Sequence, residues 1–428
     1  MDMIRTVAVC NLGCSKNIVD GERIASFLSR AGFALTTDFS AADIIVVNTC
    51  AFIQEATREA VDTILAMAQH KKSGSCKTLA VAGCFSERYR HEAAKELAEV
   101  DLWVGVHTWI DDLSAYLGVA RPEGIQRALS EPIATQYLKI AEGCSHRCAF
   151  CVIPAIRGAY ASRGEREILD EAAWLERRGV KELILVSQDT SWYGRDNHSS
   201  LTRLLERLLA ATAFPWIRLM YLHPRHIDDS LLALVGAESR ICSYFDIPLQ
   251  HASDSILAAM RRGHTAREGY ALIDRIRSSV PDAAIRTSFI LGFPGETRKH
   301  VSELASFIEQ VRFDKLGVFP FSPEQGTAAA NMRPRPRTNT AMQRCEEIMA
   351  LQRDISRELL ERRIGGSMRV LIDRVADNPD YVFAGRTFMD APEVDGVVHL
   401  VRCSAQPGDI IDAEIIDADD YDLFARAP

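Results

Sequence analysis

The chain has 428 residues, 47% of them hydrophobic and 25% charged, with a formal net charge of −8. That length supports two or three domains with real cores, and the balance is that of an ordinary globular protein, which excludes a fibrous or disordered chain. No apolar run is long enough to span a bilayer and the opening Met1-Asp-Met-Ile-Arg5 lacks signal-peptide architecture, so a cytoplasmic location is expected, where eleven cysteines read as metal ligands or buried hydrophobes and not as disulfides.

Strand and helix alternate from the start. Strands are predicted at Thr6–Cys10, Ala42–Val47 and Thr78–Ala82, with helices over Asn17–Arg30, Ile53–Ala68 and Ser86–Ala98. Apolar strands without alternation, set between amphipathic helices, predict a parallel sheet covered on both faces. A polar stretch from Arg121 to Glu131 follows. The alternation then resumes, with strands predicted at Leu138–Ala141, Glu182–Val186, Trp216–Met220, Tyr244–Ile247, Ala284–Ile290 and Lys315–Phe319. Six βα repeats predict a barrel or partial barrel with its chemistry at the carboxyl ends of the strands. Arg333-Pro-Arg-Pro-Arg337 reads as a linker, a helix is predicted over Asn339–Ile364, and Gly365-Gly366 opens a segment of short strands and turns that predicts a small all-β domain. The chain is thus α/β with a C-terminal all-β part, and domains are expected at residues 1–120, 132–364 and 366–428.

Two sets of cysteines carry the chemistry. Cys144, Cys148 and Cys151 form a C-x3-C-x2-C run. It supplies three thiolates in one short loop and stops at three, whereas a closed zinc or iron–sulfur site takes four protein ligands. An open metal position at an iron–sulfur cluster is a place where a cofactor can be gripped and split; structural zinc is the alternative. Cys14, Cys50 and Cys84 each follow the carboxyl end of one of the first three predicted strands. In an open parallel sheet those ends converge on one crevice. Burial as small apolar residues is the other reading, and it weakens when three cysteines occupy equivalent positions. Cys10, Cys76, Cys242, Cys345 and Cys403 show no partner spacing.

With both sets in view, the chain resembles the radical S-adenosylmethionine (SAM) methylthiotransferases along essentially its whole length. The resemblance rests on Leu12-Gly-Cys-Ser-Lys-Asn17, Val47-Asn-Thr-Cys-Ala-Phe52, Ala141-Glu-Gly-Cys144, Cys151-Val-Ile-Pro-Ala-Ile-Arg-Gly158 and Val186-Ser-Gln-Asp-Thr190. It continues through His223-Pro-Arg-His-Ile-Asp228, Pro248-Leu-Gln-His251, Gly292-Phe-Pro-Gly-Glu-Thr297 and Asp390-Ala-Pro-Glu-Val-Asp-Gly396. The match is nearest to the branch that modifies ribosomal proteins, the RimO type; the tRNA-modifying branch is the alternative. The resemblance implies an N-terminal methylthiotransferase domain with an auxiliary cluster, a radical SAM partial (β/α) barrel and a C-terminal TRAM β-barrel. It implies two [4Fe–4S] clusters, one on Cys144, Cys148 and Cys151 that binds SAM, the other on Cys14, Cys50 and Cys84. It implies transfer of a methylthio group to the β-carbon of an aspartate in small-subunit ribosomal protein S-twelve, with an electron donor and a sulfur donor as further partners. An unactivated C–H bond has no acidic proton, so a radical must break it, and the cofactors do that work.

The resemblance places Phe150 against the adenine of SAM. Gly292, Pro294 and Gly295 would let the backbone approach SAM, although by themselves they read as a turn. Gln188, Asp189, Gln250 and Arg286 are expected at strand ends facing the pocket, with structural hydrogen bonding as the other reading. His223, His226 and His251 lack metal-ligand spacing. From Met368 onward there are thirteen acidic residues against five arginines, which accounts for the whole net charge. Acids such as Asp390, Glu393 and Asp395, and Asp417, Asp419, Asp420 and Asp422, are expected to decorate a folded face that attracts a basic protein and repels nucleic-acid phosphates. That argues against a non-enzymatic iron–sulfur or zinc protein that binds RNA.

Overall fold

The computed structural model describes residues 5–121, 124, 126–131 and 133–427. Residues 1–4 and part of the Arg121–Glu131 stretch lie outside them. The chain divides into two compact units. The first takes the residues up to Ser130 with Glu142–His146 and Cys151–Ala161, and the second takes Glu131–Ala141, Arg147–Phe150 and the chain from Ser162 onward.

In the first unit, strands β1 (Thr6–Asn11), β2 (Ala34–Leu35), β3 (Ile44–Thr49), β4 (Thr78–Gly83) and β5 (Leu102–Trp103) lie parallel in the order β2-β1-β3-β4-β5. Successive side chains point to opposite faces. Val7, Ile44, Val46 and Ala80 pack with Ile24 and Phe27 on one side. Ala8, Ile45, Val47, Leu79 and Val81 pack with Ala60, Ile64 and Phe85 on the other. Burial on both sides is the reason these strands are apolar throughout. The strand order reverses between β1 and β3, and the crevice at the carboxyl ends beside such a switch is where open α/β sheets bind ligands.

The second unit begins with β6 (Thr135–Lys139); the chain then runs through the cysteine loop, whose residues are shared out between the two units, with a short strand on either side, β7 (Ala141–Glu142) and β8 (Ala161–Ser162). The barrel continues with β9 (Glu182–Val186), β10 (Trp216–Leu219), β11 (Tyr244–Asp246), β12 (Ala284–Leu291) and β13 (Lys315–Pro320). These pair in parallel as β6-β9-β10 and β11-β12-β13, with a parallel bridge from Ile217 to Ile241 between the two sets. Ser200, Asp228 and Thr265 each cap the helix that follows them, accepting a first-turn N–H that has no partner within the helix. Helix Thr338–Glu361 leads into a closed barrel, β14 (Ser367–Val375), β15 (Phe383–Arg386), β16 (Val398–Leu400), β17 (Ile410–Ala418) and β18 (Leu423–Arg426), in the order β14-β15-β16-β18-β17. Val370, Ile372, Val398, Leu400, Ala413 and Ile415 fill it. Among the described residues no helix is long and apolar enough to cross a membrane.

One expectation from the sequence is corrected here. Asp390 and Asp395 do not decorate the surface. Asp390 is 4% exposed and pairs with Lys315 Nζ at 2.7 Å. Asp395 pairs with Arg286 Nε at 3.2 Å and accepts the Tyr244 hydroxyl at 2.6 Å. Both carboxylates face cations near the amino ends of β12 and β13, so they join the C-terminal barrel to the (β/α) barrel. Glu393 alone of the three is exposed.

Candidate functional site

The first unit gathers Cys14, Cys50 and Cys84 at the carboxyl end of its sheet. Cys14 follows β1 and is the N-cap of helix Ser15–Arg30. Cys50 follows β3 directly, and Cys84 is the first residue of helix Cys84–Glu96. Two helix N-termini therefore point partial positive charge toward thiols. Gly13, at φ +91°, allows the approach: a Cβ there would fall 2.6 Å from the Cys50 Cβ. Asn17 braces the loops, with its amide donating to Leu12 O at 2.9 Å and Thr49 O at 2.8 Å.

The electrostatics show that the three sulfurs act on one another. Burial, and then the charges of Cys84 and Cys14, push the Cys50 thiol up to about 11. Burial raises Cys84 as well, against the pull of Arg157. Desolvation opposes ionisation of Cys14, yet Lys16, the Asn17 N–H and Arg157 outweigh it and hold that thiol below its ordinary value. Three sulfurs that repel one another when ionised suit a multivalent cationic group, which reverses the balance. The donor set fits an iron–sulfur cluster with one iron left open.

The second set lies in the loop between β7 and the short helix Ile153–Arg157. The Cys144 N–H donates to Gly158 O at 3.1 Å, and the Ile153 N–H reaches Cys151 Sγ at 3.5 Å. Arg262 Nη1 lies 3.4 Å from Cys148 Sγ. The Ala149 N–H donates to Met260 O at 2.9 Å, and Ala149 O accepts from Ala329 N–H at 2.8 Å. These bonds fix the backbone at the middle cysteine. Three sulfurs on a fixed loop, two of them accepting N–H groups, suit thiolate ligation.

The residues expected around SAM are distributed as follows. Phe150 is half-buried against Ala149, Ile256, Met260, Phe293 and Ala329, so it covers a small apolar cluster. Gln188 and Asp189 follow β9. The Asp189 carboxylate accepts the Ser191 hydroxyl at 2.6 Å and meets His226 Nδ1 at 2.9 Å, and the His226 ring stacks on His223 with centroids 4.8 Å apart. Gln250 has φ +74° and exchanges backbone bonds with Ser288 and Ile290 beside β12. Gly292, Pro294 and Gly295 form the turn after β12. At Gly292, φ +79°, a Cβ would fall 2.4 Å from Ala341 Cβ, so the close approach there is to helix Thr338–Glu361. Arg286 stands apart, near the amino end of β12, with Nη1 3.0 Å from Asp246 and Nε on Asp395.

Three residues that carry much of this architecture drew no role from the sequence. Arg157 lies in a motif quoted above, yet nothing local marks its side chain as buried. Arg262 has no motif. Glu296 accepts the Gly292 N–H at 3.0 Å and pairs with Arg344 at 2.6 Å; it sits inside Gly-Phe-Pro-Gly-Glu-Thr, where the glycines draw the eye.

Comparison with known proteins agrees with this layout. Residues 6–105 match a family described as uncharacterized protein family UPF0004, residues 138–308 the radical SAM superfamily and residues 364–427 the TRAM domain. The ribosomal protein uS12 methylthiotransferase RimO of Pelobacter propionicus is 41% identical over 98% of this chain and 97% of its own. That of Aquifex aeolicus is 43% identical over 98% of this chain and 96% of its own. Among solved structures, the radical SAM methyltransferase TsrM from Kitasatospora setae superposes with a TM-score of 0.56 at 14% identity, covering 88% of this chain and 82% of TsrM. At that identity the likeness is one of fold.

Proposed function

The chain belongs to the RimO family of ribosomal protein uS12 methylthiotransferases, radical SAM enzymes that use a [4Fe–4S] cluster and SAM, and from that premise we propose that it transfers a methylthio group to the β-carbon of an aspartate in uS12. The observation that carries the reading is the presence, in one chain, of two separate sets of three cysteines, one on a single braced loop and the other at the carboxyl ends of three neighbouring strands. Cys144, Cys148 and Cys151 would hold the SAM-binding cluster, and Cys14, Cys50 and Cys84 a second one. When bound, the first cluster supplies reductive cleavage of SAM and so the radical that removes an unactivated hydrogen.

The protein's own residues hold and shield these groups. Ala149 and its backbone partners fix the loop, Phe150 and its apolar neighbours keep water from one side of it, and Asp189 with His226 presents a polar wall past β9. Phe150, Gln188, Asp189, Gln250, Gly292, Pro294 and Gly295 remain our proposed SAM contacts. Arg286 is proposed to act indirectly, through the strand it anchors. The site of action is the cytoplasm, where the ribosome is, and an electron donor and a sulfur donor are its further partners.

Mass spectrometry of ribosomal proteins from cells with and without the gene tests the proposal. A methylthio addition on one aspartate of uS12 that disappears with the gene is the expected result. A methylthio group lost from tRNA, with uS12 unchanged, would transfer the assignment to the tRNA-modifying branch.

A further inference from the structure

Arg157 ends the short helix that begins two residues after Cys151. Its side chain is 2% exposed. An arginine has five N–H donors, and all five are engaged inside the first unit. Nη1 donates to Asp20 at 2.7 Å and to Glu142 at 3.1 Å. Nη2 donates to the Asn17 side-chain oxygen and to Cys84 Sγ at 3.2 Å, and Nε donates to the same sulfur at 3.3 Å.

The direction of the fork is informative. The Nε–Nη2 edge of a guanidinium matches a carboxylate in bidentate fashion, and an arginine serving only as an ion-pair hub is expected to offer that edge to Asp or Glu. Here two carboxylates are available, and both are met by Nη1. The forked edge is turned onto one cysteine sulfur. Asp20, Glu142 and Asn17 then act as the clamp that fixes the plane. Cys14 receives backbone N–H groups from Asn17 and Lys16, and Cys50 from Phe52 and Ala51, so Cys84 has the donor that carries a full charge.

We infer that Arg157 is a positioning residue for the cluster on Cys14, Cys50 and Cys84: it orients the Cys84 sulfur and raises the reduction potential of that cluster through two N–H···S hydrogen bonds. The inference rests on the proposal that this set holds a cluster. Its physical basis is general. An electron added to an iron–sulfur cluster is shared with the ligand sulfurs, so a charged donor on one of them stabilises the reduced state more than the oxidised.

The experiment uses the full-length chain with Cys144, Cys148 and Cys151 all changed to alanine, so that any iron belongs to the other set. This protein must carry about four irons; if it carries none, the two-cluster reading itself falls and the inference falls with it. Arg157→Lys is then introduced. Lysine keeps a cation beside Asp20 and Glu142 but cannot present a fork to sulfur. The expected result is a folded protein with the same iron content whose redox equilibrium, titrated with dithionite and mediator dyes, moves about tenfold toward the oxidised state, which is ~59 mV for a one-electron couple. Circular dichroism and iron analysis accompany the titration. A folded, iron-replete variant with the parental potential overturns the inference. So does a variant that fails to fold or folds without iron, because Arg157 is then a structural hub.

Discussion

Glu182 shows how much a single buried residue can be asked to hold. It opens β9 and is fully buried between two arginines, Arg218 at 2.6 Å and Arg386 at 2.8 Å. Burial alone would raise its carboxyl, but Arg386 and Arg218 more than offset this and hold it below the usual carboxylate range. A carboxyl depressed in the folded state contributes stability that is complete above its unfolded value of about 4.3 and is lost as pH falls through the folded value. Glu182→Gln leaves two buried guanidinium groups without their common partner, which costs about 3–5 kcal/mol at neutral pH. Urea unfolding at pH 7 should show that loss. Repeated below pH 4, it should show a smaller gap, since the parent has by then given up part of the same contribution; a gap that widens in acid would refute the assignment. The residue type was visible in the sequence, but its partners lie 36 and 204 positions away, and no local pattern announces them. Arg286 is the same case in reverse. An arginine on a predicted strand invites a ligand role, and only the fold reveals that Asp246 and Asp395 have claimed it.

At the scale of elements, what the sequence made legible was what periodicity controls. Glu182–Val186 was predicted to the residue, and the helices preceding β2 and following β3 within two. The apolar runs of β1, β3 and β4 read clearly because both faces of the sheet are buried. The two-residue strands β2 and β5 were not legible, being too short to carry a period and held by the neighbour's backbone. Equivalent placement of the cysteines at strand ends was legible too, and it separates two variants by element. Cys50→Ala alters the loop after β3 and leaves the loop after β7 untouched. It should lower iron from about eight to about four per chain, abolish methylthio transfer and leave 5′-deoxyadenosine formation under dithionite near the parental rate. Cys144→Ala should also halve the iron, yet abolish 5′-deoxyadenosine formation. If both variants lose SAM cleavage equally, the two sets do not hold independent clusters.

At the scale of the whole molecule, the C-terminal acidity divides into two populations with different work. Asp373, Asp390 and Asp395 are tied to Arg386, Lys315 and Arg286. Asp420 is engaged by Arg357 and Arg353 on the helix that leads into the barrel. On the outward face of β17 and the turn after it, Asp412, Asp417 and Asp419 are exposed, and their side chains meet at most nearby backbone N–H groups. Charge reversal at Asp390 and Asp395 would set lysines against Lys315 and Arg286 in a buried joint, so those changes should yield insoluble protein and say nothing about substrate. Asp412→Lys combined with Asp417→Lys is the informative pair. Exposed charges act through long-range attraction, which salt screens over roughly 8 Å at physiological ionic strength. The pair should therefore slow association with the basic uS12 several-fold at low salt, with little change at high salt, and leave melting temperature and substrate-free SAM cleavage as they were. Association rates across a salt series would decide the matter. Equal rates for parent and variant at low salt would mean that this face is solvated surface, and that uS12 is recognised through shape and contacts elsewhere on the enzyme.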